Sequence, residues 1–271
     1  MKFLKHLWIV LLLIPISILS QNDKIDGEYE LSLYKKFTFY RGGEALPFRI
    51  LFPENFDSTK EYPLVVFLHG KGESGNDNEK QLIHGAKLFL DKTNRENFPA
   101  IVIFPQCDTN SFWGNVQMIT DEQEKMEFYF TEEKNASKSM QLLIEFLDNL
   151  KNKYRIKQDQ IYVMGLSMGG MGTFELVSRL PKVFAAAVPI CGGANTGIVK
   201  KLKHTNWWVF HGAKDEVVPY ELSENMVNIM KKNKINVRYT LYPNANHNSW
   251  DLAFSEPDLL SWMFSQKKKS K

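Results

Sequence analysis

The chain has 271 residues, enough for one large α/β domain or two small ones. Hydrophobic residues make up 44% and charged residues 24%, the balance of an ordinary globular protein, and no repeat or low-complexity block is present apart from a lysine-rich end at 267–271. Lysine and arginine number 34 against 31 acidic residues, a net charge of +3, which gives no surface of the kind nucleic acid requires.

In chain order, Lys2, Lys5 and His6 precede an apolar run over 7–19 that closes on Ser20. That basic, apolar and small-residue order predicts a cleavable secretory signal over 1–20, with a mature start at Gln21 and a secreted or periplasmic location. The run contains Pro15 and falls short of the ~20 residues a membrane helix needs, so no stable span is expected after cleavage. Losing the signal removes two lysines and leaves 32 basic against 31 acidic residues, four of the lysines lying in the last five positions. Residues 21–34 read as a flexible segment, 35–266 as one folded domain, and 267–271 as a solvated basic tail.

Phe37 to Tyr40 and Leu46 to Phe52, joined across Gly42-Gly43, read as an antiparallel edge pair. Beyond Pro63 the apolar runs 64–68, 101–104, 161–164, 185–190, 207–210 and 237–242 are mostly too continuous to leave a wet face, as expected of parallel strands covered on both sides. Helical periods fall between them at 79–90, 135–154, 173–180 and 220–232, with a last one at 257–266. Alternation of this kind predicts a twisted, mostly parallel sheet of about eight strands with helices on both faces and no large cap domain. Functional groups in such sheets collect at the carboxyl ends of the strands.

Three of those ends carry reactive side chains. Ser167 lies in Gly165-Leu-Ser-Met-Gly169, between the apolar run 161–164 and a helical run, where a sharp strand-to-helix turn would present it as a nucleophile. A serine hydroxyl needs a base, and that base needs a carboxylate to orient it. Asp215 follows the run 207–210, in His211-Gly-Ala-Lys-Asp215, and His247 follows the run 237–242. Glu216 is the adjacent alternative acid, but the spacing to Val217-Val-Pro219 favours Asp215. The N–H groups of Met168 and of Lys71, in the glycine-rich Lys71-Gly-Glu-Ser-Gly75, are the candidate oxyanion donors, with Glu73 bracing that loop.

The other histidines have plainer readings. His69 and His211 each precede a glycine at a strand end and are expected to hydrogen-bond their turns, while His84 and His204 are expected to be exposed. No metal-ligand spacing is found, so neither metal nor cofactor is expected. Cys107 and Cys191 follow non-adjacent strands, too far apart for a disulfide, and are expected to be free, partly buried thiols. The aperiodic stretch 108–134 carries five aromatic residues and is expected to wall the site, with Trp113 as a substrate-stacking platform.

These residues together resemble the α/β-hydrolase superfamily over essentially the whole chain beyond the signal. Leu68-His-Gly-Lys-Gly-Glu-Ser-Gly75, Pro105-Gln-Cys107 and the two motifs above are similar to a bacterial exported esterase group, described variously as predicted peptidase, phospholipase/carboxylesterase or dienelactone-hydrolase-like, and to feruloyl and acetyl-xylan esterases. The serine at 167 departs from the cysteine of dienelactone hydrolases. The resemblance implies a serine carboxylic-ester hydrolase for small acyl or hydroxycinnamoyl esters, carbohydrate-linked ones included. A peptidase of the prolyl-oligopeptidase type is the enzymatic alternative, although the chain lacks a propeller domain. An inactive hydrolase fold used as a glycan-binding module is the non-enzymatic one.

Overall fold

A computed structural model describes residues 31–120, 126–131 and 133–268. The expected signal over 1–20 and most of the 21–34 segment lie outside the described residues. Among the described residues no helix is long and apolar enough to cross a membrane.

Among the described residues ten strands form: β1 (Lys35–Arg41), β2 (Glu44–Leu51), β3 (Tyr62–Leu68), β4 (Ile101–Pro105), β5 (Val116–Thr120), β6 (Met126–Phe130), β7 (Ile156–Leu166), β8 (Ala186–Ile190), β9 (Asn206–Gly212) and β10 (Val237–Tyr242). Eight of them make one sheet in the order β1-β2-β4-β3-β7-β8-β9-β10. In that sheet β1 pairs antiparallel to β2, β2 antiparallel to β4, and every other pair is parallel. The helices are α1 (Ala86–Leu90), α2 (Lys92–Asn97), α3 (Lys138–Lys153), α4 (Met168–Arg179), α5 (Glu221–Lys232), α6 (Trp250–Phe254) and α7 (Leu259–Ser265).

The continuous apolar runs become strands buried on both sides. Leu64, Val66 and Leu68 of β3 join a core with α3, α4 and α5, while Val65 and Phe67 face a second core with α1 and α7. Ser137 caps α3 by accepting the Met140 N–H, and Leu143, Phe146, Leu147 and Leu150 at helical spacing seat that helix on the sheet.

Four expectations change. The helix expected over 79–90 is broken into a 3-10 turn (Lys80–Leu82) and the short α1, because Gly85 between them adopts φ +80° and lies against Phe67, where a Cβ would fall 2.3 Å from the ring. The stretch expected to be aperiodic holds its own antiparallel pair, β5 with β6. Tyr34 is buried, donates its hydroxyl to Ala86 O at 3.0 Å and meets Phe104 edge-on, so the fold begins inside the segment expected to be flexible. At the other end, Lys268 N–H donates to Asp159 O at 2.9 Å, so the tail is tied to the body at least that far.

Candidate active site

Ser167 stands between β7 and α4 with φ 53° and ψ −118°, a backbone conformation that a side-chain-bearing residue adopts only under constraint. The constraint is visible in its neighbours. A Cβ at Gly165 would fall 2.4 Å from Gly169 O, and one at Gly169 would fall 1.9 Å from Leu68 O. The bend is thus pressed onto the end of β3, and Ser167 N–H is pinned to Ile190 O of β8 at 2.9 Å. The outcome is a half-buried hydroxyl lifted over the sheet edge.

The loops after β9 and β10 are stitched together because their strands are parallel neighbours. Ala213 N–H donates to Tyr242 O, Lys214 N–H to Ala245 O, and Asn246 Oδ1 accepts from both Glu216 N–H and His247 N–H. This brings His247 between the other two side chains. Its Nε2 lies 3.0 Å from Ser167 Oγ, and its Nδ1 lies 2.8 Å and 3.0 Å from Asp215 Oδ2 and Oδ1. A carboxylate has no proton to give, so Nδ1 carries the hydrogen and Nε2 is left as the acceptor for the serine hydroxyl.

Asp215 has no side-chain exposure. Burial pushes its carboxyl upward, but hydrogen bonds from His211, His247 and Val218 N–H outweigh it and hold the group below the usual carboxylate range. Oδ1 also accepts from Val217 N–H at 2.9 Å and Val218 N–H at 2.8 Å. Glu216, the alternative acid, is exposed and meets the Asn246 amide instead of His247.

The loop after β3 approaches the same point. A Cβ at Gly70 would lie 3.6 Å from Ser167 Cβ. Lys71 opens a 3-10 turn whose own bonds are donated by Glu73 and Ser74, and Met168 opens α4, where the first amides have no acceptor within the helix. Several groups hold the loop from behind. His69 spans Gly70 O (2.6 Å) and Cys107 N–H (2.9 Å), and burial lowers it to about 4, so it is neutral at pH 7. Gln106 donates to Glu73 O and Asp77 Oδ1 and accepts from Asn78 N–H. Glu73 is buried against Gly70, 3.8 Å from His84.

Trp113 is not a platform. It is 0% exposed, edge-on to His69 at 5.5 Å and packed on Gly172 of α4, because an apolar ring beside a glycine on that helix is drawn into the core. Nor is His84 exposed; it is half-buried against Trp250. Trp250, unmarked in the sequence reading, stands edge-on to His247 at 5.3 Å and walls the site; its place just beyond the histidine loop was the available signal. Lys71 Nζ reaches Thr109 O and Ser111 O and lies 4.3 Å over the Phe112 ring, latching the insertion to the loop after β3.

Cys107 and Cys191 are both free and buried, with β3 and β7 between their strands. Burial raises Cys107 to about 11 and Cys191 further still. Among the described residues one group has the proximity to hold a metal: ligand atoms of Cys191, Asp215 and His247 lie within 4.8 Å of one another. Two of the three are already bonded to each other.

The model of the phospholipase/carboxylesterase family matches residues 56–256, most of the chain, with Ser167, Asp215 and His247 inside the matched range. The chain belongs to that family. The chain is also similar to a bifunctional acetylxylan esterase/xylanase of Neocallimastix patriciarum, 26% identical over 61% of this chain and 21% of that protein. It is also similar to a probable feruloyl esterase C of Aspergillus terreus, 24% identical over 67% of this chain and 59% of that one. The crystal structure of a thermostable esterase superposes with a TM-score of 0.79 at 34% identity, covering 89% of this chain and 64% of the other. The chain thus spans less than two thirds of each of these three relatives. A feruloyl esterase module from Clostridium thermocellum, solved with sinapinate, shares the fold with a TM-score of 0.61 at 16% identity.

Proposed function

We propose that this member of the family is a serine carboxylic-ester hydrolase. The observation that carries the reading is the bond series from Ser167 Oγ through His247 to Asp215, with distances of 3.0 and 2.8 Å. Ser167 Oγ attacks the ester carbonyl while His247 Nε2 takes its proton. Met168 and Lys71 N–H groups receive the oxyanion. The C–O bond then breaks, and the imidazolium returns the proton to the departing alcohol. Water, deprotonated by His247, attacks the acyl-serine and releases the acid. Asp215 holds His247 in the tautomer that both steps need.

The substrates we assign are small acyl or hydroxycinnamoyl esters, including carbohydrate-linked ones. The acetylxylan and feruloyl esterase relatives favour that class. The signal-like order of residues 1–20 supports export to the periplasm or medium. A non-catalytic glycan module would have no use for three aligned reactive side chains.

The test is a burst experiment with nitrophenyl acetate, butyrate and ferulate. One equivalent of nitrophenol per active site should precede steady turnover, and Ser167→Ala should show neither phase. Steady hydrolysis undiminished in Ser167→Ala would refute the reading.

A further inference from the structure

His211 has no step in the reaction above, yet it is fully buried against the carboxylate that the reaction uses. It lies near the end of β9, four residues before Asp215. Its Nε2 is 3.2 Å from Asp215 Oδ2 and 3.0 Å from Val218 O. Its Nδ1 is 2.7 Å from Ser223 Oγ, and that buried hydroxyl, on α5, also lies 2.6 Å from Gly192 O, the second acceptor it can turn to.

A carboxylate and a carbonyl both lack protons, so the hydrogen between them and the ring belongs to Nε2. This holds whichever way the Ser223 hydroxyl turns. Asp215 is therefore flanked by two histidines: His247 on the solvent side and His211 on the core side. Oδ1 is held by two backbone amides, and Oδ2 lies between the two rings. Only His247 has to move a proton.

We propose that His211 is a positioning residue: its Nε2–H holds Asp215 Oδ2 in line with Nδ1 of His247, so that Nε2 of His247 stays on Ser167. The proposal rests on the Ser167–His247–Asp215 reading. It has a geometric and an electrical consequence. Without the second donor the carboxylate swings more freely, which lowers kcat. It also attracts the His247 proton more strongly, which moves the acid limb of the pH profile to higher pH. The titratable groups facing Asp215 are His211, His247 and Cys191, and the Cys191 thiol stays neutral because burial raises it. His247 itself faces Asp215, Ser167 and the Trp250 ring.

The experiment compares His211→Leu, which has no donor, with His211→Gln, whose amide can occupy the Nε2 position, on a soluble nitrophenyl ester from pH 5 to 9. Rates are normalised to active sites titrated with a nitrophenyl phosphonate. For His211→Leu we expect kcat lower by roughly 10- to 100-fold, KM within about twofold, and an acid limb displaced upward by about half a pH unit or more. His211→Gln should recover most of kcat and return the limb. If the leucine variant does not fold, Ser223→Ala, which frees the far nitrogen of His211, should lower kcat several-fold at unchanged KM. Wild-type kcat and limb per titrated site in the leucine variant would overturn the proposal, as would glutamine behaving like leucine, or an unaffected Ser223→Ala where leucine does not fold. Asp215→Asn and Ser167→Ala run alongside: full activity in those would bring down the underlying reading, whereas their inactivity with an indifferent His211 would bring down this inference alone.

Discussion

The Ser167 bend and the insertion carrying β5 and β6 lie on the same side of the sheet and are built in opposite ways. At the bend, backbone meets backbone: Gly169 has no room for a Cβ beside Leu68 O, and Ser167 N–H is fixed to the neighbouring strand. The insertion is fastened by side chains, through Lys71 to Thr109 and Ser111, Asn195 to Phe130 O, and Arg179 to Lys134 O. Its outer surface leaves Met118, Ile119 and Tyr129 between 38% and 51% exposed. The geometry around Ser167 is thus set by main-chain packing that tolerates almost no change, and the surface of the insertion is set by groups that can be exchanged.

Substitutions can break this contrast, and the largest effects belong to the bend and to the histidine that meets Ser167 there. His247→Ala should lower kcat by roughly 10⁴-fold or more with Tm unchanged to within a few degrees, read by steady-state kinetics and calorimetry. Gly169→Ala should leave little soluble, folded protein, since the obstacle is the Leu68 carbonyl and not a flexible side chain; native-like circular dichroism from that variant would break the comparison.

Trp113→Ala sharpens it from the other side. Removing a fully buried ring should cost about 3–5 kcal/mol in urea unfolding, with KM for small esters unchanged to within about twofold. A selective rise in KM without loss of stability would restore the platform role.

His69 gives a pH signature to the loop after β3. Its folded value, about 4, lies below the ordinary 6.5, so between these values the unfolded chain binds the proton and the folded one does not. Stability from this group is complete above pH 6.5 and falls by roughly 3 kcal/mol as pH drops to about 4. His69→Asn should remove that part of the slope in urea titrations at pH 7 and 4.5. The smallest effect is expected on the insertion: Ile119→Ser should leave Tm within about 1 °C and shift KM only for bulky esters.

The sequence made the meeting of Ser167, Asp215 and His247 legible because each lies just beyond an apolar run, and parallel strands bring their carboxyl ends to one edge. His69 also met its expectation, since its turn is local. What escaped notice depended on partners distant in sequence. Trp113 is buried because Gly172 makes room for it, and the 79–90 helix breaks because Gly85 must pass Phe67. The β5–β6 pair is short and wet on its outer side, so it lacks the apolar run that marked the other strands. His211 was expected to bond its own turn and does so through Val218 O; its contact with Asp215 follows from the way that turn folds back, which spacing alone does not specify.

The most direct measurement of the central claim is mass spectrometry of the chain after exposure to a nitrophenyl phosphonate. One adduct per molecule is expected, on the peptide containing Ser167, formed slowly or not at all in His247→Ala and absent in Ser167→Ala. An adduct on another residue, or equal labelling of Ser167→Ala, would contradict it.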